Sequence, residues 1–216
     1  TLEILKNFSS INSNILVKPG STLTTVSPVK NVMAKATIKE SFDTEFGVWD
    51  LNKFLGTISL FDSPDFEFNS NHSKISNGLT EVVYYYCEPK LLTTVSKEIT
   101  MPDSVLDFTL KQLDLSELQK AASVMQLPDM SVRSNNGEVE LAVLDKRDKT
   151  SNTYSIALEN ITTEADFNFF FKVENLKMIS GDYDVTISEK KISQLINTNG
   201  TVTYWIALET DSTYSV

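Results

Sequence analysis

The chain opens on a helical stripe. Leu2, Ile4, Leu5, Phe8 and Ile11 fall on one side of a helix at about 100° per residue, with Lys6 roughly opposite. Ser13-Asn14 breaks the stripe, and Ile15–Lys18 reads as a strand that stops at Pro19-Gly20. Leu23, Val29, Val32, Met33, Ala36 and Ile38 are spaced like two strands interrupted at Ser27-Pro28. Thr44–Trp49 predicts another strand. Asp50 then reads as an N-cap, and Leu51, Phe54, Leu55 and Ile58 form a second apolar helix face with Lys53 away from it.

From Asp65 to Cys87 the pattern is strand and turn. Phe66 and Phe68 alternate, Asn77-Gly78 marks a hairpin, and Val82–Tyr86 is a β-rich run. Glu88–Asp103 carries two prolines and apolar residues without a period, which reads as a connector or as one more irregular strand. A helix restarts over Leu113–Leu127, with Leu115, Leu118, Ala121, Ala122 and Met125 on one face, Asp114 or Ser116 as cap, and Lys120 pointing away. Met130–Arg133, Glu138–Leu144, Thr153–Glu159 and the aromatic Phe167–Lys172 follow as strands. A short helical piece at Val173–Ile179 carries Lys177. Tyr183–Ser188, a turn at Asn199-Gly200 and Thr201–Leu208 complete the chain.

Set side by side, the halves match. Each has an amphipathic helix, strands, an aromatic strand, a second short helix, an alternating strand, an Asn-Gly turn and a β-rich run. WDLNKFLG faces FKVENLKM, and SNGLTEVVYYY faces TNGTVTYWIAL. Such a repeat sets the architecture before any motif does. It predicts two α+β domains of about a hundred residues each, antiparallel sheets with helices packed on one face. The expected partition is 1–88, a connector over 89–103, and 104–216.

Charge sharpens the picture. The 216 residues carry a net charge of −10, which argues against broad adhesion to nucleic acid but leaves room for one basic surface on an acidic body. Each predicted helix holds one lysine off its apolar side: Lys6, Lys53, Lys120 and Lys177. Gathered on one surface they suit phosphate oxygens, a contact blind to base sequence. Taken singly, each reads first as a solvated surface lysine. Glu3, Asp50, Asp114, Glu117 and Glu174 on or beside the same helices weaken the signal, although first-turn acids also answer the helix dipole.

Other chemistry is thin. No apolar run approaches the ~20 residues of a membrane span. No signal peptide is visible, and an opening Thr1 in place of Met suggests a trimmed start. Cys87 is the only cysteine, which leaves no disulfide framework or thiolate metal site and fits a reducing, intracellular setting. No glycine-rich phosphate loop appears, and one His (His72, in a polar turn) with one Cys supplies no usual nucleophile–base pair. The expectation is a non-enzyme without metal or cofactor.

The residues ILKNFSSINSNILVKPG at 4–20, WDLNKFLGTISL at 49–60, FNFFFKVENLKM with GDY at 167–183, and YWIALETDST at 204–213 give the chain a likeness. It resembles the sliding clamps, the DNA polymerase processivity factors, of T-even-type bacteriophages. The resemblance runs through nearly the whole chain and is weakest between about 62 and 110, where only strand character matches.

The resemblance implies three subunits, each of two clamp domains, closed head to tail into a ring with helices lining the hole and sheets outside. It implies Lys6, Lys53, Lys120 and Lys177 facing duplex DNA, and a homotrimer served by a DNA polymerase and a clamp loader in the cytoplasm of the infected bacterial host. It also implies an apolar pocket by the connector for a partner's short peptide. Leu91, Leu92, Val95, Ile99 and Met101 are its candidates, with Val29 and Leu208 completing it. The alternative for these residues is buried core: for Leu208 the two readings weigh the same, while an apolar, Pro-flanked connector favours the groove wall. The rival reading is a phage structural or assembly protein built from a duplicated β-rich module.

Overall fold

The computed structural model describes residues 1–95 and 97–216. The chain divides into two compact units, Thr1–Glu98 and Ile99–Val216, and the division falls inside the 89–103 stretch. Ser96, within that stretch, lies outside the described residues.

Unit 1 begins with α1 (Leu2–Ile11), whose Ile4, Leu5 and Phe8 are buried as the stripe predicts. Asn12 ends it. Its side-chain amide donates to the Val26 carbonyl at 2.8 Å, and its carbonyl oxygen accepts from the Asn14 backbone at 3.1 Å, so the polar break is itself buried and satisfied. Next come β1 (Ile15–Val17), β2 (Gly20–Val26), β3 (Val32–Phe42) and β4 (Phe46–Val48). β1 pairs antiparallel with β4, and β2 with β3. α2 (Leu51–Ile58) buries Leu51, Phe54 and Ile58, and the Asp50 carboxylate caps it by accepting from the Lys53 N–H at 2.9 Å. Then β5 (Asp65–Phe68), β6 (His72–Ser76) and β7 (Glu81–Tyr85) form an antiparallel meander.

Unit 2 repeats this plan. β8 (Leu106–Leu110) leads into α3 (Gln112–Met125). β9 (Asp129–Asn135), β10 (Glu138–Leu144), β11 (Tyr154–Thr162), β12 (Asp166–Lys172) and, last in the chain, β16 (Thr213–Ser215) make a five-stranded sheet in the order β11-β10-β9-β12-β16. β13 (Tyr183–Ser188), β14 (Ile192–Asn197) and β15 (Val202–Ala207) form the second meander, flanked by β8 on β13. α1 packs on β2 and β3 as α3 packs on β10 and β11, so the duplication holds in packing as well as in order.

Three readings are corrected. Val173–Ile179 is not a helix: a single 3-10 turn covers Val173–Asn175, and Leu176 leaves it at φ −87°, ψ 43°. Seven residues with two β-branched ends and an Asn cannot sustain a helix unaided, and burial of Leu176, 1% exposed, fixes the chain instead. Neither Asp114 nor Ser116 caps α3. The cap is Lys111, with no side-chain bond of its own, while Asp182 accepts from the Gln112 N–H at 2.8 Å. The last strand is β16, beyond the one expected at Thr201–Leu208.

Candidate nucleic-acid interface

The apolar stripe of each helix decides which way its lysine faces. With Ile4, Leu5 and Phe8 turned into unit 1, Lys6 stands exposed; with Leu51, Phe54 and Ile58 turned in, so does Lys53. α1 and α2 pack beside one another, and the Leu51 N–H donates to the Ser13 carbonyl at 2.7 Å. The first unit therefore carries its two lysines on adjoining helices.

In unit 2, Leu115, Leu118 and Ala122 anchor α3 and leave Lys120 exposed. The helix ends sharply at Gln126, which takes the left-handed conformation, φ 56°, before Leu127 donates back to the Ala122 carbonyl at 2.8 Å. Lys177 is exposed but stands just past the 3-10 turn. The Gln119 amide donates to the Leu176 carbonyl at 2.8 Å, so Lys120 and Lys177 sit one residue along from a direct link between their segments.

Among the described residues Lys6, Lys53 and Lys120 enter no ion pair. Three lysines on strands and one in a turn do: Lys35 with Glu98 at 2.9 Å, Lys74 with Glu81 at 2.9 Å and Lys172 with Asp129 at 2.5 Å on strands, and Lys146 with Asp211 at 2.7 Å in the turn after β10. Several acids by the helices are meanwhile engaged. Asp50 is spent on the α2 cap, and Glu117 accepts from the Tyr154 hydroxyl at 3.1 Å. Burial, and then the neighbouring carboxylates of Glu117 and Asp182, push the Asp114 carboxyl above its ordinary pKa. Cations that need an external partner beside acids already satisfied make a surface suited to weak phosphate contacts.

The expected partner-pocket residues divide by burial. Val29 and Leu91 are exposed at 78% and 58%, whereas Leu92 and Leu208 are buried in their own units. Leu92 lies against Gly47, where an added Cβ would meet its Cδ1 at 2.9 Å. Val95, Ile99 and Met101 are half-buried.

Sequence reasoning missed β8, although Leu106, Phe108 and Leu110 alternate with Asp107 and Thr109 and are its buried residues. It also missed the ion cluster at the end of unit 2. There Lys146 donates to Asp211 at 2.7 Å and to Glu209 at 3.2 Å and stands 5.1 Å from the centre of the Phe170 ring. Lys172 meets the buried Asp129 beside it. Residues far apart in sequence carry no local signal of such a cluster.

The fold is that of the sliding clamps of known structure. An Archaeoglobus fulgidus PCNA bound to the C-terminal region of FEN-1 superposes with a TM-score of 0.69 at 15% identity, over 98% of this chain and 96% of that one. A Helicobacter pylori beta clamp bound to a DNA ligase peptide gives 0.71 at 12% identity, over 97% of this chain and 63% of the longer one.

Sequence narrows the class. Residues 107–210 match the family model described as gp45 sliding clamp, C terminal. The sliding clamp of Vibrio phage KVP40 is 30% identical over 97% of this chain and 96% of its own length, and that of Enterobacteria phage T4 is 27% identical over 99% and 96%. The chain belongs to the bacteriophage sliding-clamp family, the DNA sliding clamps of replication.

Proposed function

We propose that three copies of this chain close head to tail around duplex DNA and tether the replicative polymerase to it. The observation that carries the reading is the set of exposed helix lysines without ion-pair partners, Lys6, Lys53 and Lys120, on a chain of net charge −10. Lys177, exposed just past the turn that stands where the second helix of unit 2 was expected, adds a further cation. An acidic body discourages DNA from binding anywhere else, and few backbone-directed contacts hold the duplex without pinning it. A heterologous contact that closes gives the ring.

The proposal takes 89–103 as the connector between domains 1–88 and 104–216, and places beside it a seat for short peptides of the polymerase and clamp loader. Its candidate residues are Val29 and Leu91, which are exposed, Val95, Ile99 and Met101, which are half-buried, and Leu92 and Leu208, which are buried. The clamps cited above with a bound FEN-1 region or ligase peptide support that kind of partner. The chain works without catalysis or cofactor in the cytoplasm of the infected host. No helix among the described residues is long and apolar enough to cross a membrane.

Light scattering over a range of concentrations tests the ring. A trimer, or a monomer–trimer equilibrium, is expected. A strict monomer at high concentration would remove the mechanism and leave the family and fold untouched.

A further inference from the structure

Unit 2 carries Lys177 on a segment with no helix to support it. In unit 1, α2 bonds the backbone groups of its own interior, and one tyrosine reaches its cap, the Tyr84 hydroxyl donating to the Asp50 carbonyl at 3.3 Å. Past the 3-10 turn at Val173–Asn175 the backbone needs partners from other elements. The Val173 N–H donates to the Pro128 carbonyl at 3.0 Å, and the Leu176 carbonyl accepts from the Gln119 amide at 2.8 Å. At Ile179 both backbone groups are taken. Its N–H donates to the Tyr204 hydroxyl at 3.2 Å, and its carbonyl accepts from the Tyr183 hydroxyl at 2.7 Å. Gly181 follows at φ 146°, against the Asn197 amide, where an added Cβ would collide.

The two tyrosines come from β13 and β15, with β14 between them. Both are fully buried, and their rings meet edge to face at 5.9 Å. Burial pushes the Tyr183 hydroxyl above its ordinary pKa, so it keeps the proton it donates. Phenylalanine would fill both positions; only the hydroxyls reach Ile179. Lys177 stands exposed between the fixed points, one residue beyond Leu176 and two short of Ile179.

We propose that Tyr183 and Tyr204 are positioning residues for Lys177: by fixing Ile179 they hold the segment in the one path that presents the Lys177 ammonium to the phosphates of the duplex. The inference rests on the clamp function proposed above. A lysine on a loose loop must order its backbone at every contact, whereas one on a clamped segment has done so on folding. Two buried hydroxyls thereby give unit 2 a second DNA-facing station in place of a second helix.

Tyr183→Phe and Tyr204→Phe together test it, with Lys177 present and with Lys177→Ala. The tyrosine pair variant should speed amide exchange over residues 177–181 about tenfold and leave Glu138–Leu144 unchanged. With Lys177 present it should move the log–log salt slope of retention on a circular duplex toward that of Lys177→Ala, a fall of about 0.9 for one phosphate contact. With Lys177→Ala it should change the slope no further. Gln119→Leu, outside the buried pair, removes the anchor at Leu176 and should give the same pattern, which keeps the test open if the tyrosine variant folds poorly. An equal loss of retention with and without Lys177, faster exchange with retention unchanged, or Lys177→Ala without effect overturns the proposal. Solution mass and the slope of a Lys6, Lys53 and Lys120 variant report on the clamp itself. If those hold while the tyrosine pattern fails, only the positioning role falls; if they fail, both fall.

Discussion

The Asp182 carboxylate accepts a hydrogen bond from the backbone N–H of Gln112 at 2.8 Å, so a residue seventy positions away caps the first turn of α3. The same carboxylate meets Lys111 at 3.2 Å. The Gln112 N–H, then Lys111, hold the Asp182 pKa below its ordinary value. Folding thus favours the ionised form. The stabilisation is complete above the ordinary aspartate value of about 3.9 and fades as pH falls through the lower folded value. Asp182→Ala should lower the melting temperature by a few degrees at neutral pH, and Asp182→Asn by less, because an amide oxygen still caps. Lys111→Ala should change little, since an exposed pair contributes weakly. Thermal melts from pH 7 to 3 check all three.

Lys146 is the next point of leverage. Burial works against its charge, but its bonds to Asp211 and Glu209 outweigh burial and raise its pKa. The Lys146 hydrogen bond holds Asp211 low in turn. The Asp211 share is lost as pH falls through its depressed folded value, and the Lys146 share only as pH rises past the ordinary lysine value of about 10.4. Lys146→Met keeps most of the stem on Phe170 and removes both hydrogen bonds. It should cost about 1–3 kcal/mol, and exchange at Thr213–Ser215 should speed first, because Glu209 and Asp211 lead into β16.

Gly47 permits a close approach. An added Cβ would meet the Cys87 carbonyl at 2.8 Å and Leu92 Cδ1 at 2.9 Å. Cys87 bridges to Gly47 here, its N–H donating to the Gly47 carbonyl at 3.0 Å. Gly47→Ala should therefore destabilise unit 1 by about 1–3 kcal/mol, read as a lower urea midpoint without a change in slope.

The lysines carry the functional prediction. Replacing Lys6, Lys53 and Lys120 together with Ala should leave the fold and solution mass unchanged and reduce polymerase stimulation on long templates. The salt dependence of DNA retention should fall by about 0.9 in log–log slope for each phosphate contact removed. Unchanged stimulation and slope would take the DNA contact away from these helices.

Periodicity made most of this fold legible. The stripes of α1 and α2 and the alternation through β12 are burial patterns written directly into sequence, whereas β10, expected to alternate, is buried continuously from Val139 to Val143. The 173–179 segment defeated the same reasoning because the buried Leu176 decides its path, and that contact is tertiary. The cap at Asp182 is long-range in the same sense: Asp114 and Ser116 satisfied the local rule, and a non-local carboxylate took the position. Of the site, the exposure of the helix lysines followed from the stripes. Their lack of ion-pair partners did not, since it depends on where acids such as Glu117 are engaged.

The single turn at Val173–Asn175 leaves the duplicated units unequal: among the described residues there are two α-helices in the first and one in the second. A ring of the proposed kind would repeat its inner wall once per subunit and not once per domain. A duplex turning inside it would meet three equivalent stations, each with a helix-rich side and a side held by an irregular segment. Variants of Lys177 and of Lys53, which lie on corresponding segments of the two units, should then differ in their effect on sliding.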